Sequence, residues 1–208
     1  MLKRPQQARS RQTLERFVDA AVALLEEQLW VDVTISALAR RARSSVGAFY
    51  ARFADKAGLL DYLDQRYAEE MRALLEHSIE QARAQQWSLE ARAGHLIADL
   101  VGYHRRYRGL LRTLVLTARA GASPAFAARS RQINALVPDL VASLLECAAD
   151  VAGRDVQSRL QIGLAFTFSA MRDQILFPES SPSPCQGDDA ALTRALVQTF
   201  LGYLRAST

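Results

Sequence analysis

The sequence predicts an all-α protein. Apolar residues recur at helical steps of three and four along the whole 208-residue chain, and no stretch alternates with period two. Residues suited to N-capping stand just before several of these runs, and three prolines and a glycine fall together in one ten-residue stretch between two of them.

In chain order, Leu14, Phe17, Val18, Ala21, Leu24 and Leu25 mark one face of a first helix ending near Gln28. After the linker Leu29–Val33, Thr34 is a good N-cap for a short second helix with Ile35, Leu38 and Ala39 inward. Ser44 or Ser45 caps a third, whose apolar residues are Phe49, Tyr50 and Phe53. Asp55 caps a fourth and long helix, followed at steps of three and four by Leu59, Leu60, Leu63, Tyr67, Met71, Leu74, Leu75 and Ile79. Further helices are predicted over 88–108 and 110–120. Ser123 followed by Pro124, proline at the first helical position, opens one that ends near Gly153. The next is predicted over 154–177, and residues 178–187 form the proline-rich loop. Asp188 or Asp189 opens the last helix, to about Arg205.

Composition narrows the class. Half the residues are apolar and 23% are charged, the balance of an ordinary globular chain of one or two domains. Cys147 and Cys185 are too few for a disulfide framework or a zinc cluster, so reduced thiols and a cytoplasmic location are expected. No segment approaches the roughly 18 apolar residues that span a bilayer, and the basic N-terminus is not followed by the apolar run of a signal peptide. The net charge of +4 is unevenly spread. Residues 1–53 hold nine Lys and Arg against five Asp and Glu, while the other 155 residues hold seventeen of each. The whole excess therefore sits at one end, as expected if that end meets a polyanion.

Residues 34–53 are the most informative. Two short helices joined by a tight turn present the second as a ridge narrow enough for the major groove of DNA. Val46, Gly47 and Ala48 are small, so the backbone at its N-terminal turn can approach base edges, and helix N-termini suit phosphates. Tyr50, Arg52 and Lys56 place donors around that ridge, where contacts set register rather than read sequence.

From about Arg11 to Met71 the chain resembles the TetR family of bacterial regulators. The resemblance rests on Ala20-Ala21-x-Ala23-Leu24-Leu25, Val33-Thr34-Ile35-x-x-Leu38-Ala39, Ser45-x-Gly47-x-Phe49-Tyr50-x-x-Phe53 and Asp55-Lys56-x-x-Leu59-Leu60. It implies an N-terminal three-helix helix-turn-helix DNA-binding domain (11–71) and a C-terminal helical bundle for ligand binding and dimerisation (72–208). It also implies a phosphate contact at the helix start for Thr34, base reading by Ser45, Val46, Gly47 and Ala48, a phosphate or sugar contact for Tyr50, and a phosphate contact for Lys56. There are two departures. The family's turn is usually a glycine and a small apolar residue, and here it is Arg43-Ser44. Arginine is costly where φ must be positive, so either the turn is altered or Arg43 adds a phosphate contact. Valine at position 46 replaces a commonly polar side chain and points to contact with a thymine methyl.

Two apolar stripes run along each of the last two helices. Leu160, Leu164, Phe168, Met171 and Ile175 face one way and Ile162, Phe166 and Ser169 another. In the final helix Leu192, Leu196, Thr199, Phe200 and Tyr203 form one stripe, and Val197, Leu201 and Leu204 a second. Helices apolar on two sides need partners on two sides, and a two-fold homodimer through these helices supplies one. Leu100, Tyr103, His104, Tyr107, Leu114, Phe126, Phe166 and Met171 are expected to line a pocket for a small, largely apolar effector.

These features predict a DNA-binding transcriptional regulator, a ligand-released repressor acting as a dimer on a pseudo-palindromic operator, with no enzymatic activity, cofactor or metal. The rival readings are a helical enzyme and a protein-binding adaptor. No nucleophile elbow, phosphate loop or His-Glu-x-x-His motif supports the enzyme, and His95 with Asp99 supplies only two ligands for a metal.

Overall fold

A computed structural model describes residues 4–121, 124–149, 151, 155–181 and 184–206, the side chains of 4–9 and 124 excepted. The described residues form ten helices and no strand: α1 (Arg4–Glu27), α2 (Ile35–Arg41), α3 (Val46–Tyr50), α4 (Lys56–Ala84), α5 (Leu89–Arg106), α6 (Arg108–Arg119), α7 (Pro124–Asn134), α8 (Val137–Leu145), α9 (Val156–Leu176) and α10 (Asp189–Arg205). Side-chain caps at several helix starts appear as hydrogen bonds. Asp55 Oδ1 accepts from Gly58 N–H at 2.7 Å, Ser88 Oγ from Ala91 N–H at 3.3 Å, and Asp188 Oδ1, not Asp189, from Ala191 N–H at 2.8 Å.

Two compact units emerge: Met1–Tyr67 with Tyr107–Ala127, and Ala68–Arg106 with Ala128–Thr208. The boundary expected at residues 71 and 72 falls inside α4, and the first unit also takes α6. Sequence order does not reveal that addition, because it arises where α1 crosses α6. A Cβ built on Gly109 would lie 2.1 Å from the carbonyl oxygen of Leu25, so no side chain fits there. Just beside this crossing, Glu26 accepts from the Gly109 N–H and pairs with Arg108 at 3.1 Å. A carboxylate of α1 thus satisfies an otherwise orphaned donor at the start of α6, where negative charge is favoured. The unit's core holds Phe17, Val18, Ala21, Leu38, Phe49, Leu59, Leu63 and Leu110, all buried.

In the second unit α10 packs on α5 and α9, and α8 on α9 and α5. Gly163 lets the Phe200 ring approach α9 closely: a Cβ there would stand 2.9 Å from ring carbon Cε2. Buried Arg92 donates to the carbonyls of Trp87 (3.0 Å) and Ser143 (2.5 Å), to Ser143 Oγ (3.1 Å) and to Glu146 (2.9 Å). Glu146 also pairs with Arg83 at 2.8 Å, and hydrogen bonds from Arg83 and Arg92 hold its carboxyl below the usual range. A buried guanidinium is tolerated when its donors are used in this way.

Two expectations need correction. The single helix from Ser123 to Gly153, whose two end residues lie outside the described ones, is instead α7 and α8, interrupted at Ala135 and Leu136. Pro138 is the cause. It lacks an N–H, and its ring in a continuous helix would strike the carbonyl four residues back, at Asn134, where α7 ends. In α10 the second stripe serves the chain's own core, with Leu201 and Leu204 buried and Val197 half-buried. In α9 the second stripe stays outside: Ile162 is 44% and Phe166 69% exposed.

Gly109→Ala is expected to lower stability by about 1–3 kcal/mol or more through overpacking. Gly94→Ala, in α5 with nothing within 4 Å of the added carbon, is expected to raise it by up to about 1 kcal/mol. Thermal or urea unfolding of the two variants measures the contrast, and equal stability would show that the α1–α6 crossing yields easily.

Candidate nucleic-acid interface

The ridge is built from its caps inward. Thr34 Oγ1 accepts from Ala37 N–H at 3.1 Å and starts α2. At the other end Ser44 N–H donates to Ala39 O (2.9 Å) and Arg43 N–H to Arg40 O (3.1 Å), the bond pair of a Schellman motif. That motif needs a left-handed residue, and Arg43 supplies it at φ 48°. The turn is therefore not altered: arginine occupies the glycine conformation and carries the backbone strain. Arg16 of α1 steadies it by donating to the Arg43 carbonyl at 3.3 Å.

Ser45, not Ser44, caps α3, its Oγ accepting from Ala48 N–H at 3.0 Å. Phe49 is fully buried and meets Phe17, Tyr50 and Phe53 with ring centroids 5.6, 5.6 and 5.3 Å away. With Phe49 turned inward, the helical twist leaves Val46 (40% exposed), Gly47 and Tyr50 (55% exposed) outward, with Ala48 half-buried between. Gly47 is informative. A Cβ there would meet only Ser45 Oγ, at 3.9 Å, and its φ is not in the left-handed range. Nothing within the chain requires glycine at this position.

Arg52 and Lys56, expected at phosphates, are committed to the protein's own backbone. Arg52 donates to Ala48 O at 2.8 Å and to Ser10 O and Oγ at 3.3 and 3.4 Å. The Lys56 ammonium donates to the carbonyls of Trp30 (2.7 Å), Val31 (3.3 Å) and Val33 (2.8 Å) and stands 4.9 Å from the centre of the Trp30 ring. Three bonds use all three ammonium donors. The lysine thus fastens the α1–α2 linker, and those carbonyls offset a cation at the helix end the macrodipole disfavours. The role of Lys56 is not visible in residue spacing, since the lysine and its acceptors lie more than twenty positions apart. Arg41 forms a two-pronged pair with Glu27 at 3.2 and 2.8 Å. Arg43 is exposed and Ser44 half-buried.

The expected effector-lining residues divide between the units. Leu100, Tyr103 and Met171 are buried in the second unit, where His104 joins them. His104 Nδ1 donates to the Leu100 carbonyl at 2.8 Å, leaving Nε2 as an acceptor. Burial holds this imidazole below its ordinary pKa, and the Arg172 cation adds to the effect. Tyr107, Leu114 and Phe126 are buried in the first unit, with the Tyr107 ring 4.4 Å from that of Tyr67. Phe166 faces outward on α9 and so stands apart from the others. A cleft of about 400 Å³ in the first unit, between the end of α1, the linker and α6, is lined by none of these residues. His95 and Asp99 lie 3.4 Å apart on α5, and among the described residues no three His, Cys, Asp or Glu gather as metal ligands. No described helix is long and apolar enough to cross a membrane.

Residues 17–63 match the family of bacterial regulatory proteins, tetR family. The fold is shared with a protein from Mesorhizobium loti described as a TetR-family transcriptional regulator, with a TM-score of 0.68 at 15% identity over 94% of this chain and 96% of that one. It is shared also with a TetR-family transcriptional regulator from Bordetella parapertussis, with a TM-score of 0.65 at 18% identity over 94% and 97%. No curated protein matches the chain by sequence. The resemblance read from the motifs is thus shown, by sequence across the helix-turn-helix and by fold across nearly the whole chain.

Arg43→Gly is expected to stabilise the chain by up to about 1 kcal/mol, the relief of left-handed strain slightly exceeding the entropy lost with glycine. Urea unfolding measures it, and a destabilised variant would mean that the arginine side chain holds the turn more firmly than the strain opposes it.

Proposed function

We propose that this chain, tetR-family in its helix-turn-helix and in its fold, is a DNA-binding transcriptional regulator: a homodimeric, ligand-released repressor of a pseudo-palindromic operator. The reading rests above all on α3. Its buried Phe49 sets the outward face, and Gly47 on that face has room for a side chain the protein does not use. A glycine spared by the fold makes sense where another molecule's surface must come close, and a base edge at the floor of the major groove is such a surface. Val46 fits a thymine methyl, and Thr34, Arg43 and Tyr50 fit flanking phosphates.

Dimerisation is supported by α9. Ile162 and Phe166 are exposed there, and Tyr203 of α10 is 37% exposed. An apolar stripe of this kind becomes stable against a second copy related by a two-fold axis. The effector is a small, largely apolar molecule held near Leu100, Tyr103, His104 and Met171, with the His104 Nε2 as its polar anchor. Its signal passes through α4, one continuous helix of 29 residues that carries core residues of both units. Occupying a promoter excludes polymerase, hence repression, and the role needs no catalytic step, metal or cofactor. It is exercised in the cytoplasm.

Binding to a duplex selected from a random-sequence pool is expected to weaken steeply with salt, as counterions return to the phosphates. Tyr50→Ala should cost about tenfold at all sequences, and Val46 variants should change preference at one or two base pairs. Gly47→Ala should fold normally and still lose affinity. A salt-independent interaction, or no retention of DNA, would defeat the reading in favour of an enzyme or adaptor.

Phe166→Glu places a charge in the proposed dimer face and should yield monomers in sedimentation, with operator affinity down by at least about tenfold. A variant that stays dimeric would remove α9 from the interface.

A further inference from the structure

The first unit leaves few large apolar side chains in water. Among its described residues these are Leu29, Val31, Val46, Tyr50 and Leu116. Val46 and Tyr50 belong to the ridge of α3. The other three come from the linker and from α6, and all of them line the cleft of about 400 Å³ between the end of α1, the linker and α6. Single exposed apolar side chains need no explanation. Three around one concavity, with the Trp30 ring beside them, mark a place where something apolar is held. The volume lies in the range of small-molecule sites.

The walls of the cleft are fixed by the chain itself. The Lys56 ammonium takes the carbonyls of Trp30, Val31 and Val33, which pins the linker backbone while Leu29 and Val31 stay outside the core. Leu25 and Gly109, which meet at the α1–α6 crossing, both line the cleft as well. Walls set before a ligand arrives lower the entropic cost of binding it.

Polar groups on those walls narrow the chemistry. The Thr113 hydroxyl donates to Gly109 O at 2.9 Å and the Thr117 hydroxyl to Thr113 O at 2.8 Å. A hydroxyl has one hydrogen, so what the two threonines offer a ligand is lone pairs. The charged groups are already engaged: Glu26 with Arg108 and the Gly109 N–H, Glu27 with both prongs of Arg41, and Arg112 is not free either. An ion entering the cleft would break one of these pairs or go unmatched. A neutral molecule with an O–H or N–H leaves them intact and meets the threonine oxygens.

We infer that this cleft is a second small-molecule site, apart from the effector site proposed in the second unit, and that it takes an uncharged aromatic compound carrying one O–H or N–H donor. The ring lies against Leu29, Trp30, Val31 and Leu116, and the donor reaches a threonine oxygen. The site stands whether or not the chain binds DNA. Its ligand touches the linker that leads into α2, an input to the same unit that carries α3.

The chain has two tryptophans, Trp30 in the cleft and Trp87 in the second unit, so their indole N–H signals in a nitrogen–proton NMR spectrum report on the two units separately. Trp30→Phe assigns the signals, and the probes are β-naphthol, its methyl ether and the β-naphthoate anion. β-Naphthol is expected to move the Trp30 signal saturably, with half-saturation at about 0.1–1 mM. The methyl ether, which has no donor, and the anion should each bind at least about fivefold more weakly. Thr117→Val removes an acceptor at nearly constant shape and should weaken β-naphthol about fivefold while leaving the ether unchanged. Leu116→Ala, at an exposed position, should weaken both by about threefold to tenfold. A Trp30 signal unmoved by β-naphthol at about 5 mM would overturn the site. A response to the ether or the anion as strong as that to β-naphthol would refute the chemical class. A Trp30 signal that shifts with protein concentration and no probe would mean that a second copy covers the apolar border, and the assignment to a small molecule would fall.

Discussion

A helix of five residues cannot hold itself together in water, because nucleation costs more than one turn returns. α3 is five residues long, so its existence depends on the burial of Phe49 against Phe17 and Phe53. That one contact does two things. It supplies the apolar burial a short helix needs, and it fixes the rotation of the helix about its axis, so that Val46, Gly47 and Tyr50 have no choice but to face outward. The face that α3 turns outward is thus set by an aromatic residue fully buried from solvent.

The strain and charge around α3 follow from the same need for a rigid mount. The turn from α2 keeps the Schellman geometry although arginine replaces the residue best suited to it, because the hydrogen bonds of Ser44 and Arg43 and the support of Arg16 over-determine the left-handed backbone. Lys56 and Arg52 lie where phosphate-binding cations are expected, and both spend their donors on carbonyl groups of the linker, α3 and α1. Both cations therefore hold backbone whose acceptors would otherwise go unsatisfied.

The second unit solves a different problem. Its packed helices bury a guanidinium, Arg92, by giving it carbonyl, hydroxyl and carboxylate acceptors on α8, on the residue that follows it and on the turn before α5. It also leaves one apolar stripe, Ile162 and Phe166 of α9, without cover inside the chain. The contrast with α10, whose second stripe is used internally, comes from position. α10 packs on α5 and α9 together, while α9 packs on α8, α10 and α5 and still has a face to spare.

Helical periodicity, capping residues and the Gly47-x-Phe49-Tyr50-x-x-Phe53 spacing made the all-α class, the helix-turn-helix and most helix starts legible from residues alone, because these depend on local geometry that repeats within a few positions. The break at Pro138 was also written in the sequence, in the ring that collides four residues back, although the apolar run on either side concealed it. Tertiary structure alone decided which cations face outward and which brace the backbone, that α6 joins the first unit through a glycine crossing, and that α9 rather than α10 keeps an open face. Each of these turns on groups brought together from twenty to more than eighty positions apart, and no pattern of neighbours along a chain encodes such a meeting.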